Sequence, residues 1–116
     1  MIRQAAERRG RWGEKIAALW LWAHGWHILK TRARVPMGEV DLIARRGRTL
    51  AFIEVKTRKK AADLSTAMDA YRLRRVAAAA QALAPLHARP GDSIRIDVIL
   101  IAPFALPQHL PNVWHG

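Results

Sequence analysis

The chain has no cysteine, which excludes disulfide frameworks, thiol nucleophiles and cysteine zinc sites, and suits a reducing, cytoplasmic setting. Acidic residues are scarce. Nine Asp and Glu stand against twenty Lys and Arg, for a formal charge of +11. That imbalance favours a polyanionic partner, either nucleic acid or an anionic membrane surface, and charge alone does not choose between them. Long apolar runs are also missing. The longest near the start, Ile16 to Ala23, falls well short of the roughly 18 residues that suggest a membrane span. It follows a basic leader as a signal-peptide core would, but Glu7 and Glu14 interrupt that leader and no small-residue cleavage pattern follows. Neither secretion nor membrane insertion is therefore expected. There are no repeats and no Gly/Ser/Pro-rich linkers. With 51% hydrophobic residues in a chain of 116, one domain spanning residues 1–116 is the expectation.

From about Ile2 to His24 the sequence is rich in Ala, Leu, Glu and Arg, and Gly25 stands where a helix C-terminus favours glycine. Trp26 to Thr31 reads as a short strand and Arg32 to Pro36 as a basic connection. Two further strands follow, about Glu39 to Ala44 and Leu50 to Thr57, separated by charged residues and Gly47. A second helix is expected to begin near Asp63 or Ser65 and run to about Leu83, with Pro85 stopping it. Residues 93–101, SIRIDVILI, alternate and then turn wholly apolar, as a strand entering a core does. The tail holds three of the six prolines and reads as irregular. The order α-β-β-β-α-β predicts an α/β fold, a mixed sheet flanked by helices.

The two central strands place acids where acids are costly. A two-residue turn with Gly47 and Arg48 at its tip, of the type II′ kind, sets the register. Val40, Leu42 and Ala44 then face Val55, Ile53 and Ala51 on one apolar, core-facing side. The other side pairs Ile43 with Phe52, Asp41 with Glu54 and Glu39 with Lys56. Directly opposed carboxylates lie about 5 Å apart at Cβ and repel. A raised pKa, a nearby cation or a bound divalent ion relieves them. In this register Lys56 lies opposite Glu39, leaving Asp41 and Glu54 short of positive charge. Oxygen donors of this kind suit Mg²⁺ or Mn²⁺. With an adjacent lysine they supply the parts for phosphodiester hydrolysis.

Gly38-Glu39-Val40-Asp41-Leu42-Ile43 followed by Phe52-Ile53-Glu54-Val55-Lys56-Thr57-Arg58 resembles the signature of the bacterial YraN-like proteins, also known as UPF0102. These are assigned to the PD-(D/E)xK, or restriction endonuclease-like, superfamily and are similar to archaeal Holliday junction resolvases. Gly13-Glu14 with the following Ala-rich helix, Arg95-Ile96-Asp97-Val98, Gln108-His109-Leu110 and Asn112 to Trp114 extend the resemblance over nearly the whole chain. It implies a restriction endonuclease-like fold with Asp41, Glu54 and the Val55 carbonyl as metal ligands, Lys56 as the catalytic lysine, Glu14 as an extra ligand and Glu39 in support. The chain departs from the family pattern at Thr31, at Ala61-Ala62-Asp63-Leu64 and at Arg72, where the family usually has Asn, a Phe-Gly pair and Lys.

Around these strands, Arg32, Arg34, Arg45, Arg58, Lys59 and Lys60 form an expected phosphate-gripping rim, which Arg72, Arg74 and Arg75 of the second helix extend. Trp20, Trp22 and Trp26 read as core or interface. The expectation is a Mg²⁺- or Mn²⁺-dependent endonuclease acting on DNA, branched or damaged forms included. The rivals are a non-catalytic nucleic-acid-binding module of the same fold and a basic membrane-surface or ribosome-associated protein. An open sheet edge and an apolar first helix add a homodimer to the expected partners.

Overall fold

A computed structural model describes residues 2–59 and 70–115, with side chains from residue 10 onward. Helix α1 (Ile2–Ala23) leads into β1 (His27–Val35), β2 (Gly38–Arg46) and β3 (Thr49–Thr57); α2 (Ala70–His87), β4 (Ser93–Ile101) and β5 (Gln108–Leu110) follow. The strands form one sheet in the order β1-β2-β3-β4-β5. β1, β2 and β3 are antiparallel neighbours, β3 and β4 are parallel, and β5 returns antiparallel to β4. A parallel pair needs a crossover, which α2 provides.

α1 ends as its glycine predicts. The N–H of Trp26 donates to the Leu21 carbonyl at 2.9 Å and that of Gly25 to Trp22 at 3.1 Å, while Gly25 has φ +88°. This is a Schellman closure, with Trp26 and Leu21 burying their side chains together. The β2–β3 turn is also as expected. Gly47 carries φ +60°, and Leu42–Ile53, Ile43–Phe52 and Ala44–Ala51 are in register.

Four features differ from the sequence reading. First, both faces of the sheet are buried. Leu42, Ala44, Ala51, Ile53 and Val55 pack under α1 with Ala17, Leu21 and Trp26, while Ile43, Leu50 and Phe52 pack under α2 with Leu73, Val76 and Ala80. Val40 sits on the α2 side, opposite in face to Leu42, so the alternation of β2 breaks at Asp41. Second, β1 continues through Val35 and takes in Arg32 to Val35. It pairs with β2 as far as Val35–Gly38, accommodated by a register shift between Ile28 and Lys30 and by Arg32 at φ +52°. Third, α2 passes Pro85 and ends at His87. One turn from the end, proline forfeits a single backbone bond, and Ala88 still donates to Ala84 at 2.7 Å. The start of this helix near Asp63 or Ser65 lies outside the described residues.

Fourth, the tail is ordered by a buried charge. Asp97, fully buried on β4, accepts from the Arg95 guanidinium at 3.0 Å and from the Asn112 N–H at 2.9 Å, and lies 2.7 Å from His109 Nε2. Burial pushes its carboxyl up, but His109, Arg95 and Asn112 outweigh burial and hold it below the usual carboxylate range. These contacts pull residues 108–110 onto the sheet as β5. Trp26 is buried as expected. Trp22 is 69% exposed and joins no core.

Candidate functional site

The β2–β3 ladder stops at Leu42–Ile53, just before the acids. Beyond it, the Asp41 carboxylate replaces the missing rung, accepting the Val55 N–H at 2.8 Å. The side chain is thereby pinned between the strands rather than left on a solvated face. Lys56 does not face Glu39. It turns along its own strand to Glu54, with Nζ 3.0 Å from Oε1, and both side chains are no more than a tenth exposed. Glu39 pairs with the exposed Arg34 at 3.2 Å instead. The expectation that Asp41 and Glu54 lack a cation is thus corrected for Glu54, which also has Arg72 Nη1 at 3.8 Å.

Asp41 remains under charge stress. Burial pushes its carboxyl up to about 7, Glu54 adds to this, the Val55 N–H opposes it, and Glu14 and Glu39 raise it further. Asp41, Glu39 and Glu54 line a cleft of about 410 Å³ whose other wall is Tyr71, Arg72, Arg75 and Val76 of α2. Two glycines permit this closeness. A Cβ at Gly38 would stand 2.5 Å from the Arg75 carbonyl, and one at Gly13 would collide with Thr57 Oγ1. Gly13 therefore seats α1 directly on the end of β3 and brings the neighbouring Glu14 towards the acids. Glu14 is engaged there by Arg32, Nε to Oε1 at 2.9 Å. It opens onto a second cleft of about 430 Å³ with Arg11, Lys15, Thr31 and Leu42.

Asp41 and Glu54 suit a hard divalent cation, because two close carboxylates, one with a raised pKa, are relieved by positive charge. Among the described residues no group of three or more His, Asp or Glu side chains is arranged to hold a metal ion; two carboxylates are a number that Mg²⁺ commonly accepts alongside waters and phosphate.

The basic residues divide. Arg32, Arg34 and Lys59 are exposed near the acids or at the end of β3, Arg58 donates to the Thr57 carbonyl at 2.9 Å, and Arg72 lines the cleft. Lys60 lies outside the described residues. Arg45, expected on the rim, is buried at the turn end of the sheet. It donates to both oxygens of Asp92 at 2.9 and 2.8 Å and to the His87 carbonyl at 3.0 Å. A guanidinium so enclosed ties the β2–β3 turn to the α2–β4 connection and does not reach the cleft. Arg74 lines a separate groove with Ala77, Ile94 and Trp114. The sequence signal for Tyr71 is its position four residues before Arg75, which puts the two on one face of α2.

Comparison with known proteins follows the same lines. The model of the family described as "Uncharacterised protein family UPF0102" matches residues 13–101. UPF0102 proteins of Sphingopyxis alaskensis and Rhizorhabdus wittichii are 67% and 63% identical over 114 residues, which is 98% of this chain and 98% and 97% of theirs. Among solved structures, Hjc of Archaeoglobus fulgidus, a Holliday junction resolvase, matches with a TM-score of 0.63 at 22% identity, covering 88% of this chain and 76% of that one. Identity this low carries the fold alone. No described helix is long and apolar enough to cross a membrane. From its acid-bearing hairpin to its overall sheet order, the chain belongs to the UPF0102 family and has the fold of a resolvase-like nuclease.

Proposed function

We propose that the protein is a divalent-metal-dependent endonuclease that hydrolyses phosphodiester bonds in DNA. The observation that carries this reading is the Asp41 carboxylate, held by the Val55 N–H and pushed up to about 7 beside Glu54; both acids line a cleft walled by arginines, and Lys56 Nζ pairs with Glu54 from beneath its surface. Asp41, Glu54 and the Val55 carbonyl would hold Mg²⁺ or Mn²⁺, with Glu14 available once released from Arg32. The cation supplies Lewis acidity and neutralises charge on the phosphoryl oxygens.

The chain's own residues do the rest. Arg72 and Arg75 lie where a phosphodiester entering the cleft is gripped. Lys56, nearly buried, is a fixed positive group that orients the attacking water and stabilises a phosphoryl oxygen. Water adds to phosphorus, one P–O ester bond breaks, and the departing oxygen takes a proton, giving a phosphate end and a hydroxyl end. Arg32, Arg34, Arg58, Lys59 and Lys60 contribute backbone affinity that weakens as salt rises. A cytoplasmic setting and a homodimer belong to the same proposal; sedimentation velocity tests the second.

The decisive assay offers linear, nicked and four-way-junction DNA to the wild type, Asp41→Asn and Lys56→Ala, with Mg²⁺ and with Mn²⁺. The wild type is expected to cut, and each variant to lose on the order of a hundredfold or more in rate. Cleavage surviving either substitution would sink the assignment. Binding without cleavage by the wild type would replace it with the non-catalytic nucleic-acid-binding module.

A further inference from the structure

The connection between β4 and β5, residues 102–107, is short, apolar and bare. Its sequence is Ala-Pro-Phe-Ala-Leu-Pro. Phe104 is fully exposed and Leu106 is 87% exposed. No other large apolar side chain described is as bare as these two. Single exposed apolar residues are ordinary on protein surfaces. Two on one tip, framed by Pro103 and Pro107, are a different matter, because the prolines restrict the backbone that presents them. Phe104 also has φ +60°, a left-handed conformation that a bulky L-residue rarely adopts. Strain of this kind persists where the surroundings hold it and clusters at ligand clamps.

The base of the loop is firm. Ala102 is buried in the α2-side core, and the Ile101 carbonyl accepts the Arg58 N–H at 2.9 Å. That bond also fixes the loop's place. Lys56 is in register with Leu100 and Thr57 with Ile101, so the loop leaves the sheet one strand away from Lys56, at the end where Arg58 and the exposed Lys59 also emerge. Adjacent strands are about 4.8 Å apart.

We infer that this loop is a wedge, with Phe104 and Leu106 inserting into an opened base step of the nucleic acid whose backbone lies in the Asp41–Glu54 cleft. The inference rests on the nucleic-acid reading above and adds to it a preference for DNA with an unpaired or weakly stacked step beside the scissile phosphate. Proteins that unstack a base step do so by inserting apolar side chains; the tip carries two, at the sheet end where Arg58 and Lys59 supply positive charge. A stable protein interface buries about 800 Å² on each partner, far more than two side chains offer. Interfacial membrane binding needs a broad apolar face, which a six-residue tip does not have.

The test uses the full chain without divalent cation. The probes are a plain duplex and a forked duplex of the same length, the latter carrying 2-aminopurine at the branch. The wild type is expected to raise the fluorescence of the forked probe on binding. Phe104→Ala/Leu106→Ala should lose that rise and bind the fork roughly tenfold more weakly, a loss in line with one unstacked base contact, while its affinity for the plain duplex stays the same. Phe104→Trp should retain the rise. Equal fluorescence from wild type and double variant overturns the wedge and leaves the nucleic-acid reading standing. Loss of vesicle binding or of self-association in the double variant, with the fork signal intact, overturns it in favour of a lipid or a second copy. A wild type with no affinity for either DNA overturns the wedge together with the reading on which it rests.

Discussion

Asp41→Asn should make the metal-free protein more stable at pH 8, even though it removes a charged group from the cleft it shares with Glu39 and Glu54. The carboxyl stands at about 7 against an ordinary 3.8. Ionising a carboxyl raised this far costs roughly 4 kcal/mol. Allowing for partial exposure and for repulsion shared among four acids, about 2 kcal/mol is a reasonable magnitude. The sign follows from proton binding. Between about pH 4 and pH 7 the folded chain holds a proton on Asp41 that the unfolded chain has released, so stability falls as pH rises through this window and levels off above it. Asparagine keeps an oxygen for the Val55 N–H (2.8 Å) and carries no charge, so it removes the penalty. Thermal unfolding from pH 4 to pH 8, with and without Mn²⁺, measures the effect. The expected result is a variant that gains over the wild type as pH rises, and a wild type that recovers stability on adding Mn²⁺ while the variant responds weakly. A variant destabilised at pH 8, or one with the same pH slope as the wild type, would refute the claim that burial and Glu54 load this carboxylate.

Two further predictions concern the scaffold that holds the site. Gly13→Ala places a methyl group against Thr57 Oγ1, and should cost about 1–3 kcal/mol by overpacking. Adding Thr57→Ala should recover part of it, a non-additivity that a double-mutant cycle in urea would detect. Asp97→Asn leaves Arg95 and His109 without the buried carboxylate that binds them. A loss of about 3 kcal/mol is expected, together with faster proteolysis or amide exchange in residues 108–114; unchanged exchange there would show that the tail is held otherwise.

Local chemistry was legible in the sequence. The close of α1 at Gly25, the β2–β3 register and the type II′ turn at Gly47 each depend on a few neighbouring residues, whose dihedral preferences and side-chain periods act over short stretches. Extending that register predicts Asp41 opposite Glu54; the ladder instead ends at Leu42–Ile53 and Asp41 accepts the Val55 N–H, so the two acids share a cleft without forming a rung. Other features depended on partners distant in sequence. Arg45 looked like a rim cation until Asp92 and the His87 carbonyl enclosed it. Lys56 left Glu39 for Glu54 because the ladder opens at Asp41. Arg32 to Val35 became strand because β2 offered them a pairing edge, and the proline-bearing tail gained β5 because Asp97 needed donors for a buried charge. Periodicity and glycine report what the backbone prefers alone. Which cation meets which acid is set by desolvation, which exists only once the two helices have closed over the sheet.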